Sequence, residues 1–410
     1  MSAMRSVEEQ LAEVLAAVAP LPAETVAIAE AHGRVLHAPV LAANDIPAFD
    51  NSAMDGFAVR FADVATASQD APVTLAVVAD LPAGSPDDPR LAAGQAARIM
   101  TGSAVPADAD AIVPFEDTVG GLADSLGTTT VVAAPAAAGV FVRRGGQDAR
   151  RGDEVLAAGT WMGPLQCSAA AASGVDVVVV SRAPRVAIVS TGSELVEPGT
   201  PLRRGQIPDS NGILLAALAT DAGAIVVHRG SIDDEGSSLH ALLADLESVD
   251  AIVFSGGVSA GAYEVVRTEL AAAMAFVRVA MQPGKPQGFG RLPDGTLLFG
   301  LPGNPVSSAV SFETFVRPAL LAMQGRVGGE RARIVLPASA AWRTPPGRRQ
   351  YLPAAIDRSD PARWTVAPAT AGGSGSHMAG GLGRAEAYAI VPADVEAVAV
   401  GDLVDVMLVA

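Results

Sequence analysis

One lysine stands apart in this chain as a residue that could do chemistry. Of the 28 Lys and Arg residues, Lys285 is the only lysine and all the others are arginine. It lies in the segment PGKP at 283–286, whose two prolines make the loop stiff enough to aim one charge. Because an ammonium group is a compact point charge and a guanidinium is a broad planar fork, the position predicts that Lys285 binds a phosphate or another small oxyanion. The alternative is an ordinary solvated lysine.

Two further loops have the composition of anion-binding turns. The glycine-rich segment GGVSAG at 256–261 lets backbone N–H groups converge on an anion, and LPGNPVSS at 301–308 places a proline and two serines at the start of a helix. A lone glycine-rich loop is weak support, since many such loops are simple turns. From these loops and the turn TGS at 191–193, the candidate binding residues are Thr191, Gly192, Ser193, Gly256, Gly257, Val258, Ser259, Pro302, Gly303, Asn304, Pro305 and Ser307.

Carboxylates accompany these loops. Glu194 follows the first turn, two adjacent aspartates follow the next strand, and another glutamate lies shortly after the glycine-rich segment. Mg²⁺ prefers carboxylate oxygens together with substrate phosphates, so the candidate metal ligands are Glu194, Asp233, Asp234 and Glu264. The sequence leaves open which of the two adjacent aspartates binds, and a helix cap is an equally common role for such a pair.

The pattern of strands and helices between 181 and 327 predicts that these loops meet. Buried strands such as RVAIVSTG and DAIVFSGG alternate with helices such as NGILLAALATDAG, which predicts a mainly parallel sheet with right-handed crossovers. Ligands of such sheets bind at the carboxyl ends of the strands. The loops and Lys285 are therefore expected at one edge of the sheet. Their coincidence favours a site for a phosphate-bearing ligand with a divalent cation.

The rest of the chain predicts a fold class of multidomain α/β plus β. Residues 45–139 contain short apolar runs between turn residues, which predict a β-rich domain. Residues 1–44 open with a capping box at Ser6 and Glu9 and are expected to pack with 140–180 as a discontinuous helical domain. Residues 181–327 form the α/β domain, and 328–410 predict a small C-terminal β-barrel.

Composition limits the kind of protein. A chain of 410 residues with 50% hydrophobic residues can bury several cores. Its net charge of −16 argues against a nucleic-acid or anionic-membrane surface. No apolar run reaches the roughly 18 residues of a membrane span, the first residues do not resemble a signal peptide, and Cys167 is the single cysteine. We therefore expect a soluble cytoplasmic protein without an intrachain disulfide.

Longer motifs give the chain a resemblance to a known family. The segments DNSAMDGFAVR, TGSAVPADADAIVP, VRRGGQDAR, VSTGSEL, DSNG, FSGGVSAGAYE, PGKPQGFG, LFGLPGNPVSS, GRRQYLP and GSGSHM occur in this order. In order and spacing they resemble the molybdopterin molybdenumtransferases, the bacterial MoeA type that also forms the E domain of gephyrin. The resemblance covers essentially the whole chain, and the motifs are long and specific.

The resemblance implies a reaction and an assembly. Such proteins take adenylylated molybdopterin and molybdate as substrates, cleave the phosphoanhydride with Mg²⁺, release AMP and leave molybdenum on the dithiolene sulfurs. They are elongated homodimers in which the cleft of a MogA-like α/β domain is completed by the partner's β-rich domain, and other cofactor-biosynthesis proteins are possible partners. The discontinuous domain would serve as linker and dimerisation domain.

The same resemblance implies roles for individual residues. By match to the motifs, the implied catalytic residues are Asp55 and Thr101, contributed across the dimer interface, with Glu194, Asp233, Glu264 and Lys285. The further binding residues that it implies are Ser52, Asp148, Asp209, Ser210, Asn211, Arg348 and Ser376.

The chain departs from the family pattern at a few positions. Gln282 stands where family members commonly have a lysine, and Glu264 and Arg267 stand where an aspartate and a lysine are usual. Loss of a cation from an anion pocket weakens binding by about 1–3 kcal/mol. A non-catalytic pterin-binding or scaffold protein on the same fold is therefore the alternative function, and Mg²⁺-dependent AMP release separates the two. A third interpretation, adenylyl transfer to molybdopterin, would not need the β-rich and C-terminal domains.

Overall fold

The computed structural model describes residues 4–123, 125–258, 264–370, 375 and 378–409. Within these ranges no helix is long and apolar enough to cross a lipid bilayer. The α-helices of the described residues are α1 (Val7–Ala16), α2 (Phe61–Val64), α3 (Pro164–Ala172), α4 (Ser210–Asp221), α5 (Gly236–Asp245), α6 (Val265–Glu269), α7 (Pro305–Ser311), α8 (Arg317–Met323) and α9 (Ala379–Leu382). Short 3-10 helices lie at Ile28–Glu30 and Phe115–Asp117, and a π-helical segment, Phe312–Val316, joins α7 to α8.

The strands of the described residues fall into three six-stranded sheets and several two-stranded ones. They are β1 (Ala23–Ala27), β2 (Val40–Leu41), β3 (Asn51–Ser52), β4 (Gly56–Val59), β5 (Val73–Leu81), β6 (Gln95–Ile99), β7 (Ala111–Pro114), β8 (Thr118–Val119), β9 (Gly127–Val131), β10 (Val142–Arg143), β11 (Glu154–Leu156), β12 (Val177–Ser181), β13 (Arg185–Thr191), β14 (Leu195–Val196), β15 (Ile207–Pro208), β16 (Ile225–Ile232), β17 (Ala251–Ser255), β18 (Met274–Arg278), β19 (Met281–Gln282), β20 (Pro286–Arg291), β21 (Leu297–Leu301), β22 (Arg333–Pro337), β23 (Trp342–Arg343), β24 (Arg349–Asp357), β25 (Thr365–Pro368), β26 (Ala387–Val391), β27 (Ala397–Val398) and β28 (Leu403–Leu408).

The central sheet has the strand order β16-β13-β17-β21-β20-β18. Its first four strands are parallel, and β20 and β18 continue it in antiparallel pairing. The carboxyl ends of β13, β16, β17 and β21 therefore open onto one edge of the sheet. The prediction of a mainly parallel sheet is confirmed.

Strand β20 is not predicted by the sequence, because its glycines resemble those of a loop. A Cβ atom on Gly290 would lie 1.9 Å from the carbonyl oxygen of Ala273, and one on Gly288 would lie 2.9 Å from the ring of Phe276. Glycine is required here by the close approach of neighbouring chain segments within the sheet. The strand begins directly after Lys285 and fixes one end of the loop that carries it.

Both faces of the central sheet are covered by helices. On one face Leu215 of α4 and Leu320 of α8 are fully buried in a cluster that also contains Val14 of α1. On the other face Leu239 of α5 and Val266 of α6 are buried against the sheet. The sheet is therefore the middle layer of a three-layer α/β unit.

The first helix begins at the predicted capping box. The Ser6 hydroxyl accepts from the backbone N–H of Glu9 at 3.1 Å, and the Glu9 carboxylate accepts from the backbone N–H of Ser6 at 2.8 Å. Helix α1 then packs against α8 and the π-helical segment. The strands that follow it make the contact with the later segment, since β1 pairs with β12 and β2 with β11. The domain boundaries given above stay predictions.

The β-rich part has a sheet of order β7-β4-β6-β5-β9-β8, with apolar clusters on both of its faces. In the C-terminal part, β24, β26, β28 and β22 pair in this order and β25 pairs with β24. A bridge between Ala338 and Val366 links the chain after β22 to β25, so the strands form a closed ring. The predicted small barrel is thus present. Strand β19, from the α/β unit, joins it by parallel pairing with β24.

Candidate active site

A cleft of about 920 Å³ opens at the carboxyl ends of the parallel strands. Its walls are the loops after β13, β16, β17 and β21, the segment around Lys285, and one arginine from the barrel. The residues singled out in the sequence that line it are Thr191, Gly192, Glu194, Asp209, Ser210, Asn211, Asp234, Gly256, Gly257, Val258, Glu264, Lys285, Pro302, Gly303, Asn304, Pro305, Ser307 and Arg348.

The turn after β17 can only be made by glycine. Gly256 and Gly257 have φ angles of +93° and +67°, in the left-handed region that side chains rarely adopt. A Cβ on Gly256 would lie 2.7 Å from the hydroxyl oxygen of Thr191, and one on Gly303 would lie 3.4 Å from the Cα of Gly256. The three loops therefore pack closely at positions where Gly256 and Gly303 leave no room for a side chain.

A buried polar network ties these loops together beneath the cleft. The Asn211 amide nitrogen donates to the Ser255 hydroxyl at 2.7 Å and to the carbonyl oxygen of Gly303 at 2.6 Å. The Ser308 hydroxyl donates to the carbonyl oxygen of Pro302 at 2.5 Å. Within the described residues the Asn211 Oδ1 atom is buried and has no hydrogen-bond partner.

Asp209 has a local structural role at the rim of the cleft. It is the N-cap of α4, where its Oδ1 atom accepts from the backbone N–H of Gly212 at 2.9 Å and from the Ser190 hydroxyl at 2.9 Å. These bonds satisfy a free N–H at the start of the helix. They fix the position of Ser210 and Asn211, which follow directly.

Two of the predicted carboxylates, Asp234 and Glu194, lie close to the turn after β13. The Asp234 carboxylate accepts from the backbone N–H and hydroxyl of Ser193 at 3.2 and 3.0 Å. The Glu194 carboxylate lies over Gly192, where a Cβ would come within 2.5 Å of it. Asp233 instead accepts from the backbone N–H of Glu235 at 3.0 Å and is not part of the cleft wall. Of the two adjacent aspartates, Asp234 is the one that faces the cleft.

The carboxylates in the cleft suit Mg²⁺, which keeps water and phosphate ligands, better than they suit a metal that is coordinated by protein side chains alone. Among the described residues, no three His, Cys, Asp or Glu side chains converge as a metal site. Glu194, Asp234 and Glu264 nevertheless line the same cleft. Mg²⁺ is commonly bound by one or two carboxylates, several waters and substrate phosphates, so this donor set is compatible with it when a phosphate-bearing ligand is present.

The loop that carries Lys285 is fixed at both sides. The Gln287 amide nitrogen donates to the carbonyl oxygen of Gly284 at 2.6 Å and to the Ser311 hydroxyl at 2.7 Å. The Lys285 carbonyl oxygen accepts from the backbone N–H of Val279 at 2.8 Å. The half-buried Lys285 side chain therefore enters the cleft from a rigid support.

Arg348 enters the cleft from the barrel. One of its guanidinium nitrogens, Nη1, donates to the side-chain oxygen of Gln282 at 2.6 Å, and both side chains line the cleft. Sequence reasoning noted Gln282 only as a departure from a motif. The contact itself had no local signal, because the two residues belong to different units of the chain.

Four predicted residues, three in the β-rich part and Asp148 in the 140–180 segment, do not line the cleft of the same chain. The Asp55 carboxylate accepts from the backbone N–H and hydroxyl of Thr101 at 2.6 and 2.7 Å, and these bonds hold the pKa of Asp55 below its usual range. Ser52 is buried and donates to the carbonyl oxygen of Met54, and Asp148 is exposed. Ser259 and Ser376 lie outside the described residues.

Some residues of the cleft wall were not singled out by the sequence. Ser255 is buried at the end of β17 and bonded to Asn211; its signal is a hydroxyl that closes an otherwise apolar strand. The other such residues are Leu195, Ile207, Pro208 and Ala379. Pro283, Gly284 and Pro286 of the predicted PGKP loop also line the cleft.

Fold and cleft together define a multidomain α/β protein with a polar cleft where its parallel strands end. Known sequence families match consecutive parts of the chain. The MoeA N-terminal region (domain I and II) matches residues 5–174, a probable molybdopterin binding domain matches residues 187–322, and the MoeA C-terminal region (domain IV) matches residues 335–409.

Individual relatives agree with these matches. Molybdopterin molybdenumtransferase 2 of Mycobacterium tuberculosis (strain ATCC 25618 / H37Rv) is 43% identical over 97% of this chain and 98% of its own length. Molybdopterin molybdenumtransferase 1 of the same strain is 36% identical over 99% of both chains. The crystal structure of the molybdopterin biosynthesis MoeA protein from Pyrococcus horikoshii OT3 has a TM-score of 0.81 at 26% identity, covering 99% of this chain and 100% of that one. The chain therefore belongs to the MoeA family, that of the molybdopterin molybdenumtransferases.

Proposed function

We propose that this protein inserts molybdenum into molybdopterin, taking adenylylated molybdopterin and molybdate and releasing AMP. The observation that supports this best is the cleft, in which glycine backbone, four carboxylates and two cationic side chains line one volume. The curated relatives are molybdopterin molybdenumtransferases. Both substrates are anionic, so a local pair of cations in a chain of net charge −16 suits them.

The glycine loops form the part of the cleft that suits a phosphoanhydride. Gly256 and Gly257 present backbone without side chains, and the loop of Gly303 packs against them. Successive backbone N–H groups in such turns bind anions. Cleavage of a phosphoanhydride depends mainly on positioning and charge neutralisation, so a fixed backbone cradle is a suitable support.

The carboxylates Glu194, Asp234 and Glu264 would hold Mg²⁺ in this cleft. The ion, when bound, supplies positive charge that stabilises phosphate oxygens. The chain itself fixes Asp234 through Ser193, and the exposed Glu194 lies beside the same turn, over Gly192. One carboxylate is thus oriented before any ligand binds, which lowers the ordering cost of forming the site.

Lys285 and Arg348 would bind the oxyanion substrate. Molybdate is a small tetrahedral dianion, and one ammonium with one guanidinium balances its charge. A compact ammonium can approach such an ion from one direction without the planar geometry that a guanidinium imposes. Because its loop is held by Gln287, Lys285 offers a charge at a fixed place.

The enzyme is proposed to work as a homodimer whose clefts are completed by the partner. Asp55 and Thr101 are bonded to each other, yet neither lines the cleft of its own chain. The family resemblance assigns this pair to catalysis. Both points are explained if the Asp55–Thr101 pair of one chain lies at the cleft of a second copy of the chain.

Single-turnover release of AMP tests the proposed function. Adenylylated molybdopterin is mixed with excess protein, with Mg²⁺ or with EDTA, and with or without molybdate. The proposal requires AMP release that depends on Mg²⁺ and is stimulated by molybdate. Tight binding of adenylylated molybdopterin without AMP release under any of these conditions would instead identify a non-catalytic binding protein on the same fold. In a separate assay with molybdopterin and ATP, consumption of ATP would identify adenylyl transfer.

A further inference from the structure

Gln282 and Arg348 meet where the α/β unit and the barrel join. Strand β19 pairs in parallel with the start of β24, so that Met281 faces Arg349 and Gln282 faces Gln350. Next to this pairing, Arg348 Nη1 donates to Gln282 Oε1 at 2.6 Å. Both side chains are half-buried and line the cleft that also contains Lys285.

The chemistry of the two groups decides which atom of Gln282 faces Arg348. A guanidinium has only N–H donors, so the atom opposite it must be the amide oxygen, and the amide NH₂ of Gln282 is left to donate elsewhere. A lysine at this position could not accept the bond and would repel Arg348. A glutamate would accept it but would cancel the charge. Glutamine is therefore suited to hold the guanidinium while leaving its positive charge available.

We propose that Gln282 is a positioning residue, which holds Arg348 at the cleft wall so that Arg348 and Lys285 together form the subsite for the tetrahedral oxyanion. The inference rests on the proposed function, because it assigns a place in the cleft to its oxyanion substrate. Arg348 has a long side chain with several rotatable bonds and follows Gly347, whose φ of +68° marks a turn. Without an anchor such a side chain samples many rotamers, and its charge is spread over a larger volume.

The hydrogen bond between Arg348 and Gln282 is not needed to hold the α/β unit and the barrel together. The backbone N–H of Arg349 already donates to the carbonyl oxygen of Ala280 at 3.0 Å, and the β19–β24 pairing continues through Gln282. Loss of the Gln282 side chain should therefore leave the fold intact and change the cleft alone.

The test uses Gln282→Met, which keeps the length of the side chain and removes the acceptor, in the full chain. Molybdate affinity is measured by titration calorimetry, and KM for molybdate and kcat by AMP release. Because a hydrogen bond to a charged group is worth roughly tenfold in an equilibrium constant, we expect Kd and KM for molybdate to rise about tenfold. The values of kcat and of KM for adenylylated molybdopterin should change by less than about twofold. Gln95→Met is the matched control, because the side chain of this β6 glutamine accepts from the backbone N–H of Ala92 and does not line the cleft.

A double-mutant cycle identifies positioning as the cause. If Gln282 acts through Arg348, adding Gln282→Met to Arg348→Gln should raise Kd for molybdate by less than about twofold, since coupled residues are non-additive. Gln282→Asn, too short to reach Arg348, should behave like Gln282→Met and serves if the latter folds poorly. Gln282→Glu keeps the anchor but cancels the charge, and should also lose affinity.

The outcomes separate this inference from the proposed function. Unchanged molybdate affinity in both Gln282→Met and Gln282→Asn, or effects that multiply fully in the double variant, would overturn the positioning role while leaving the transferase intact. A wild-type protein that binds molybdate but never releases AMP would refute the proposed function. In that case the calorimetric cycle still decides whether Gln282 positions Arg348.

Discussion

The carboxylate of Asp55 accepts both the backbone N–H and the hydroxyl of Thr101, at 2.6 and 2.7 Å, on an exposed part of the β-rich sheet. Two donors from one residue hold the carboxylate in a single orientation. They also hold the pKa of Asp55 below its usual range, chiefly through the backbone N–H and then through the hydroxyl. Hydrogen bonds of this kind favour the charged form. Asp55 and Thr101 therefore present a fixed negative charge on a surface that is not part of the cleft of the same chain.

Replacing the hydroxyl donor should raise the pKa of Asp55. Thr101→Val removes one bond and keeps the backbone N–H, so the pKa rises without returning fully to its ordinary value. The measurement is an NMR titration of the Asp55 side-chain carboxyl carbon in wild type and variant. Asp357, whose low pKa has a separate cause in its bonds to Ser359, is the internal control and should not move.

The pH dependence of this bond has a definite sign. Since the pKa of Asp55 is lower in the folded than in the unfolded state, its bonds stabilise the fold at pH values above the unfolded-state pKa. That contribution is lost as the pH falls through the folded-state pKa. The stability difference between wild type and Thr101→Val should thus shrink below about pH 4. A difference that stayed constant down to pH 2 would mean that the bond to the charged carboxylate is not its cause.

Mixing two inactive variants tests whether Asp55 serves the cleft of a partner chain. Asp55→Ala and Lys285→Ala should each be inactive alone. In a mixed dimer one cleft would receive intact Asp55 from one chain and intact Lys285 from the other, so AMP release should reappear after subunit exchange. The level should approach half of the wild-type rate per mixed dimer. Absence of any recovery, with mixed dimers demonstrated by differently tagged chains, would place Asp55 outside the partner's site.

The sequence predicted the fold where local pattern decides it. Alternating buried strands and helices are sufficient for the parallel sheet, and Ser6 with Glu9 is sufficient for the start of the first helix. Strand β20 was missed because Gly288 and Gly290 carry no β signal. Glycine is required there because neighbours such as Ala273 come too close for a side chain, and only the folded structure brings those neighbours together.

The sequence predicted those site residues that the topology brings to the carboxyl edge of the central sheet. It could not predict contacts that the topology does not determine. Loops that follow parallel strands must meet, so Glu194 and Gly256 could be placed together from their order in the chain. The difference between Asp233 and Asp234 depends on a bond to Ser193 in another loop. The bond between Gln282 and Arg348 depends on how two units dock. Such long-range contacts have no periodic signature.

Lys285→Arg should reduce the rate of AMP release far more than it reduces stability. The guanidinium is larger and planar, and the loop is fixed by Gln287, so the charge cannot move to compensate. We expect a loss of about 100-fold, the size typical for removing one donor that stabilises an oxyanion, with Tm changed by only a few degrees. Arg90→Lys, the reverse exchange at an exposed side chain, is the control. Wild-type rates in Lys285→Arg would show that any cation suffices there.

Gly290→Ala should destabilise the α/β unit and, through it, the Lys285 loop. The added methyl group would lie 1.9 Å from the carbonyl oxygen of Ala273, so β18 and β20 would have to separate. We expect a loss of about 3 kcal/mol or more, in the range of severe overpacking, measured as the shift of the thermal transition. Gly380→Ala is the matched control, because among the described residues nothing lies within 4 Å of its added Cβ, and its φ is not positive. Gly290 connects directly to Lys285 through β20, so molybdate affinity should fall in Gly290→Ala even at temperatures where the variant remains folded. Affinity equal to that of Gly380→Ala would show that the sheet can deform without moving the lysine.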